Sequence, residues 1–337
     1  MISSESHVAV IEKPSSGQHS AVPFWRSSPK RLRIQSLLAV TTFFTTTAIG
    51  MRYMHNFRMG LPPLVTQDDV FPYGWMLLNL RHIADGLPFS LTLIGILLCH
   101  EFGHFYSCQR NKVKATLPFL LPAPTLSGTA GAIIRLRSRI NSRRSLMEIG
   151  ALGPLFGFIV SVPCVIMGLC LSTPIAAGPA AANLFRVKDP ILFPIFRHLL
   201  HFFFHSIPAD THLLPHPILV ASWIGIFITS LNLLPAGQLD GGHIMYALSP
   251  RVHRVTSYLT IIFSVLAGLF LWVGWLLWAF LLFLPGMRHP KVDCIDEPLD
   301  ARHRNMAIAC GIIFVLTILV CPFTGTSVVD ILNHIFT

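Results

Sequence analysis

Charged residues are scarce in this chain. Only 12% of its 337 residues are Asp, Glu, Lys or Arg, whereas 53% are hydrophobic and the mean hydropathy is +0.62. Because these residues supply too little polar surface to coat a soluble globule of this size, lipid must be the solvent for much of the chain. The composition therefore predicts an all-α polytopic membrane protein, since helices satisfy their own backbone hydrogen bonds in lipid.

Paired cysteines and acidic residues are also scarce in the chain. The seven cysteines form no C-x-x-C pair, which argues against a disulfide framework and against a cysteine zinc site. The 15 Asp and Glu residues leave a net charge of +10. This charge does not indicate nucleic-acid binding, because 19 of the 25 Lys and Arg residues fall on the inner side of the predicted topology, with the N-terminus in the cytoplasm.

Long apolar runs predict about seven transmembrane helices, since roughly 20 apolar residues cross a hydrocarbon core. The region 255–284 is too long for one crossing, and Gly268 with Gly274 favours a turn between two short spans. We expect a cytoplasmic tail at 1–33, one integral membrane domain at 34–325 with its core at 88–250, and a short tail at 326–337. The predicted spans are 34–50, 88–108, 149–171, 218–234, two within 255–284, and 306–321.

The N-terminal segment 1–29 is polar and rich in serine, which is typical of a disordered tail. An organellar transit segment is the alternative, because the stretch leads into Lys30, Arg31 and Arg33. Glu5 and Glu12 count against that reading. We therefore expect a bacterial inner membrane, with an organellar membrane left open.

The segment 112–138 is apolar but is interrupted by prolines and glycines, so it is not a straight helix. Non-helical backbone at membrane depth is tolerated only when it is buried in protein or lines a wet cavity. The pattern predicts a re-entrant loop or a β-hairpin beside the functional site.

The second predicted span carries the pattern H-E-x-x-H at residues 100–104. On a helix, positions i and i+4 place His100 and His104 on one face, where they can share a metal ion. Glu101 lies one position round and is placed to act as general base in a zinc hydrolase. A hydrogen-bonded polar cluster is the alternative, but three ionisable groups within five residues of a span indicate a functional site.

A catalytic zinc needs a third protein ligand, and Asp240 is the best candidate. It follows the fourth predicted span after Pro235 and Gly237, and the topology brings it toward the same membrane face as the two histidines. The carboxylate would otherwise cap the following helix. His243 and Glu148 are rival ligands. Asn232 either donates a hydrogen bond to a carbonyl oxygen that develops negative charge or bonds between helices.

Five histidines lie between the third and fourth predicted spans, and a second metal site there is conceivable. Their aromatic and leucine neighbours favour an interfacial helix with partly solvated histidines instead. These residues are His198, His201, His205, His212 and His216.

The motif 100–104 within a span, followed two spans later by Asn232–Gly242, resembles the site-2 protease family of intramembrane metalloproteases, peptidase family M50. The glycine-rich stretches at 128–134 and 150–157 are similar to those of the same family, and the extra spans look closest to its bacterial and plastid branch. The segment from Asn232 to Asp240 is longer than the compact form of some members. The resemblance implies one Zn²⁺ per chain held by His100, His104 and Asp240, with Glu101 as base.

We accordingly expect cleavage of transmembrane protein substrates within the lipid bilayer, with no nucleic-acid partner. Such a substrate must unwind locally, because a helical amide is shielded by its own hydrogen bonds. The strand-like residues 131–137 are a hypothetical edge on which the unwound segment pairs. A metal-ion transporter and a non-catalytic membrane regulator of the same fold are the alternatives.

Overall fold

The computed structural model describes residues 29–65, 69, 71–175, 188–204, 212–284, 289, 292, 294–296, 298–323 and 325–336, and it is mostly helical. The described helices are α1 (Pro29–Arg58), α2 (Tyr73–Leu78), α3 (Leu87–Arg110), α4 (Arg143–Leu171), α5 (Leu192–Phe204), α6 (Pro217–Asn232), α7 (Asp240–Leu248), α8 (Pro250–Phe270), α9 (Gly274–Phe283), α10 (Ala301–Thr317) and α11 (Val328–Phe336). A 3-10 helix, Leu80–Gly86, leads into α3. The strands are β1 (Phe119–Pro122), β2 (Thr129–Ile133), β3 (Thr173–Ile175) and β4 (His212–Leu214).

Four helices of the described part are long and apolar enough to cross a membrane, fewer than the seven expected. They are α1, α3 with its preceding 3-10 turn, α4 and α8. Of the other predicted spans, α6 has 16 residues, α9 has 10 and α10 has 17. At each of these three places the helix ends before the apolar run in the sequence does.

The helices begin and end differently from the predicted domain limits. α1 starts at Pro29, inside the predicted tail 1–33, and residues 1–28 lie outside the described part of the chain. The expected C-terminal tail contains α11. The predicted turn near Gly268 and Gly274 does separate α8 from α9, at residues 271–273.

α4 is the helix around which the site is built. It packs against α3, α6, α7 and α10. Pro154 and Pro163 lie inside it, yet the helix continues for 29 residues. Such prolines are tolerated in membrane helices, where neighbouring groups satisfy the freed backbone carbonyls. Against α3, the two backbones meet at Gly103 and Gly153, where a Cβ on Gly103 would overlap α4.

A β-hairpin, β1 with β2, follows α3, and it is one of the two forms predicted for 112–138. Its strands are antiparallel, and Phe119 pairs with Ile133. α1 holds the hairpin through three side chains: Gln35 donates to Leu117 O (2.8 Å), Tyr53 to Leu126 O (2.7 Å) and Thr45 to Gly128 O (2.6 Å). Gly128 has φ +75° against the backbone of Thr45, so only glycine fits this turn.

We expect Gly168→Ala to destabilise the protein. A Cβ at Gly168 of α4 would stand 2.6 Å from Leu219 N and 2.7 Å from its Cα, so α4 and α6 must separate. Overpacking of this kind costs about 1–3 kcal/mol. The thermal unfolding midpoint of purified protein should fall by several degrees.

Gly95→Ala is the matched control, because Gly95 lies in the membrane helix α3 with nothing within 4 Å of the added Cβ. Its melting temperature should equal or exceed that of the unchanged chain. Equal melting temperatures for the two variants would contradict the close packing of α4 on α6.

Candidate metal centre

α3 places two imidazoles and one carboxylate together in the interior. His100, Glu101 and His104 are only 3%, 5% and 6% exposed. One ligand atom of each lies within 4.8 Å of the others, and the two imidazole centroids are 4.9 Å apart. The helical spacing of one turn thus gathers these groups as predicted from the motif.

α7 brings Asp240 to the two histidines from a distant part of the chain. Asp240 Oδ2 lies 3.1 Å from His100 Nε2, and Oδ1 lies 3.3 Å from His104 Nε2. Asp240 is the first residue of α7, whereas the N-cap position belongs to Leu239 and carries no side-chain cap. The capping interpretation of Asp240 is therefore wrong, since its carboxylate faces the imidazoles.

The turn between α6 and α7 is tied down at Gly237. Its N–H donates to Ser257 Oγ (3.1 Å), and His253 Nε2 donates to its carbonyl oxygen (2.9 Å). Gly237 has φ +57°, which favours glycine. Two contacts from α8 thus fix the path of the backbone that delivers Asp240.

The hydrogen bond of His104 determines what its second nitrogen offers. Nδ1 lies 2.7 Å from Ile149 O, and because a carbonyl only accepts, Nδ1 carries the proton. In the neutral imidazole, Nε2 then presents a lone pair to the Asp240 carboxylate at 3.3 Å. Two acceptors facing each other repel unless a proton or a metal ion lies between them.

The donor set fits a zinc ion. Zinc bonds of 2.0–2.1 Å in a tetrahedron place ligand atoms about 3.3 Å apart. The two nitrogen–oxygen distances at Asp240, 3.1 and 3.3 Å, match that separation. Two imidazoles and one carboxylate also leave a coordination position open, as catalytic zinc sites require.

Three glycines of α4 form the wall on which these residues rest. A Cβ on Gly157 would stand 3.1 Å from His100 Cβ and Nδ1, and one on Gly153 would overlap the His104 ring. A Cβ on Gly150 would stand 3.0 Å from Asp240 O. The spacing i, i+3, i+7 on one helix face was visible in the sequence, but it did not reveal which side chains the glycines admit.

A cavity of about 630 Å³ opens onto this centre. Glu101, Asp240 and Asn232 line it, together with residues that follow β2. The backbone amide of Ile134 adjoins the Glu101 carboxylate. Asn232, half-buried at the end of α6, therefore shares one space with Glu101 and Asp240.

The two rival ligands have other partners, although His243 lines the same cavity. His243 Nδ1 shares a hydrogen bond of 2.7 Å with His289 Nε2, a pairing that the sequence did not indicate. Glu148 is buried and accepts from Asn111 Nδ2 (2.8 Å), with Arg110 and Arg302 within 3.8 Å. Glu148 therefore ties the ends of α3, α4 and α10 together, away from the two imidazoles.

The histidines on and around α5 form no second cluster of three ligands within the described residues. His198 and His201 are exposed beside Phe202 and Phe203, which supports the interfacial interpretation of this helix. His216 caps α6, and its Nδ1 accepts from Ile218 N (3.2 Å). His205 lies outside the described residues.

The chain matches the model of peptidase family M50 over residues 88–274. It is similar to the "Probable zinc metalloprotease EGY1, chloroplastic" of Arabidopsis thaliana, with 32% identity over 85% of this chain and 52% of the relative. The rice protein of the same name is 28% identical over 86% and 50%, and the "Probable zinc metalloprotease EGY2, chloroplastic" of Arabidopsis is 27% identical over 89% and 52%. No solved structure matches.

The chain spans about half the length of the curated relatives it matches. Their names include a chloroplast location, so the expected bacterial inner membrane receives no support from them. A membrane location is supported by the apolar helices of the described residues.

We expect Gly153→Ala to lower the amount of bound zinc, because the added methyl group displaces the His104 ring that Gly153 admits. Metal content per chain, measured by mass spectrometry after purification, should fall severalfold while circular dichroism shows intact helices. Gly95→Ala should keep the metal content of the unchanged chain. Full zinc content in Gly153→Ala would show that the contact between Gly153 and the His104 ring is not required for metal binding.

Proposed function

The chain is a member of peptidase family M50, and we propose that it is an intramembrane zinc metalloendopeptidase that hydrolyses peptide bonds of transmembrane proteins. The observation that carries the proposal is the convergence of His100, His104 and Asp240 beside Glu101 in a buried cavity. Four candidate membrane spans support a site within the lipid layer. The names of the relatives support zinc as the metal.

His100, His104 and Asp240 would hold one zinc ion per chain. Zinc bound there supplies a Lewis acid that polarises a carbonyl and brings the pKa of water toward 7. His104 is oriented for ligation by its bond to Ile149 O, which fixes the tautomer and the ring plane. Glycines 153 and 157 let both rings lie flat on α4.

Glu101 is the proposed general base. Its carboxylate lines the cavity without serving as a zinc ligand, so it is available to take the proton of the attacking water and pass it to the leaving amine. Asn232, on the same cavity, is the proposed donor to the carbonyl oxygen as negative charge develops on it. Both groups thus lie where a scissile peptide would enter.

Residues 131–137, the end of β2 and the extended segment after it, are the proposed docking edge for the unwound substrate. Arg137 N donates to Lys114 O (2.7 Å) and Thr116 N donates to Arg135 O (3.0 Å). The Ala115–Leu136 pair between them directs its own N–H and C=O groups away from the hairpin. Because the direction of the backbone groups alternates along an extended chain, the N–H and C=O groups of Ile134 point the same way as those of Leu136. This agrees with the contact between the Ile134 amide and Glu101.

Glu101→Gln is the decisive test. Loss of the base should lower cleavage of co-expressed single-span substrates by about 10²- to 10⁴-fold, because Gln takes up no proton. Bound zinc, measured on the same preparations, should stay at one per chain. Glu148→Gln is a matched control, a buried glutamate on α4 outside the cavity, and should cleave at a nearly unchanged rate.

Two other results would overturn the proposal. Undiminished cleavage in Glu101→Gln would assign the hydrolysis to a contaminant. Zinc flux into vesicles without any cleavage would favour a transporter that holds the metal only in passing.

Leu136→Pro tests the docking edge. Proline removes the outward N–H of Leu136 and is compatible with a strand at a position whose N–H has no partner. We expect cleavage to fall about tenfold, because one hydrogen bond that aligns the substrate is lost. Bound zinc should be retained. Leu136→Ala removes the same side chain but keeps the N–H, and it should cleave like the unchanged chain. Equal rates for the two variants would reject edge pairing.

A further inference from the structure

The segment 110–144 has an unusual charge composition. It contains eight Lys and Arg residues and no Asp or Glu. Three of the arginines, Arg135, Arg137 and Arg139, alternate along the segment that follows β2. All three are exposed, whereas Ile134, Leu136 and Ser138 between them are partly buried. Arg135 and Arg137 flank Leu136 and share one face of an extended backbone, about 6.7 Å apart, and Arg139 follows a bend at Ser138.

Arg137 and Arg139 line the same cavity as Glu101 and Asp240. The amide of Ile134 adjoins Glu101, so the two arginines follow it three and five residues further along the same edge. A peptide paired with this edge would place its reacting bond near Ile134 and its neighbouring residues near the guanidinium groups. Arg135 N donates to Thr116 Oγ1 (3.0 Å), which fixes the backbone at the start of the series.

No carboxylate of the described residues forms an ion pair with these three arginines. By contrast, Arg52 pairs with Asp69 and Arg58 pairs with Asp85. Guanidinium groups beside a binding cavity that have no carboxylate partner among the described residues are suited to a carboxylate from outside, and arginine offers a planar fork that matches a carboxylate with two hydrogen bonds.

A topological role for these cations does not explain their arrangement. The positive-inside rule requires only positive charge near the ends of the spans, anywhere in a loop. It requires neither alternation on one strand face nor a place on the wall of the catalytic cavity. The phosphate of a lipid would also attract arginine, but a position on the same cavity wall as Glu101 favours a peptide.

We propose that Arg135, Arg137 and Arg139 are specificity-determining residues that select substrates with acidic residues one to five positions from the cleaved bond. The inference rests on the proposed function, since it assigns the docked peptide to the same cavity. The three arginines form a cationic row, and the matching substrate carries Asp or Glu at alternate positions.

The experiment measures binding, so it does not depend on turnover. The full chain carrying Glu101→Gln, in a non-ionic detergent, is titrated against two fluorescent peptides followed by anisotropy. Both have the same apolar strand-forming core, and the flank is Asp-Ser-Asp-Ser-Asp in one and Asn-Ser-Asn-Ser-Asn in the other. We expect the acidic peptide to bind roughly tenfold more tightly at low salt, from three exposed ion pairs, and the difference to shrink in 0.5 M KCl.

Arg135→Gln/Arg137→Gln/Arg139→Gln should abolish this preference, whereas the corresponding triple lysine variant should keep most of it. The matched control Arg251→Gln/Arg254→Gln/Arg304→Gln removes three exposed cations that are not on the cavity and should keep the preference. If the triple glutamine variant does not fold, as judged by size exclusion and zinc content, Arg137→Gln alone should halve the preference or more.

Equal affinity of the protein with the unchanged row for both peptides would overturn the proposal. An equal loss of the preference in the control variant would also overturn it, because it would show a general charge effect. A loss of binding to nanodiscs of phosphatidylglycerol, without any peptide preference, would assign the row to lipid. A protein that prefers the acidic peptide yet cleaves nothing would refute the proposed function alone, and one that cleaves without charge preference would refute this inference alone.

Discussion

The structure depends on the meeting of one carboxylate with two imidazoles in a buried, apolar setting. His104 Nδ1 donates a hydrogen bond to Ile149 O, so in the neutral imidazole Nε2 and the oxygens of Asp240 are all acceptors, and they repel each other unless a proton or a metal ion lies between them. Burial makes this repulsion costly, because little water screens it. A divalent ion converts the same geometry into attraction. The three groups therefore fit a metal site, and the surrounding fold brings them together.

Bringing them together requires backbones to approach closely. α4 accomplishes this with glycine: Gly153 meets the His104 ring, Gly157 meets His100, and Gly103 of α3 faces α4 in turn. Membrane helices gain little from burying apolar side chains against each other, because lipid is equally apolar, so their contacts rely on small residues. Here the same small residues set the depth at which the imidazoles lie. The same glycines therefore determine both how closely the helices pack and where the candidate metal ligands lie.

Local periodicity made part of this arrangement predictable. The i, i+4 spacing of His100 and His104 is enough to place them on one face, and the break at Pro235 and Gly237 explained how Asp240 could turn back. Contacts between residues that are far apart in the sequence were not predictable. The pairing of His243 with His289 links residues 46 positions apart with no pattern between them. Four of the seven expected spans coincide with helices long enough to cross a membrane, and the other three are not confirmed, because hydropathy counts apolar residues and does not show where a helix ends.

The β-hairpin raises a different question, since an open strand edge invites pairing between copies of the same chain. The residues after β2 leave their outward hydrogen-bonding groups without a strand partner among the described residues, yet every second side chain there is an arginine. Two such edges brought together would oppose two rows of like charge, which is unfavourable for directly opposed residues. A row of acidic side chains meets no such repulsion. Under the proposed function, the cations that disfavour pairing between two copies of this edge would leave it open to one chemical class of strand, and the edge could stay exposed beside the proposed hydrolytic centre without being blocked by its own copies.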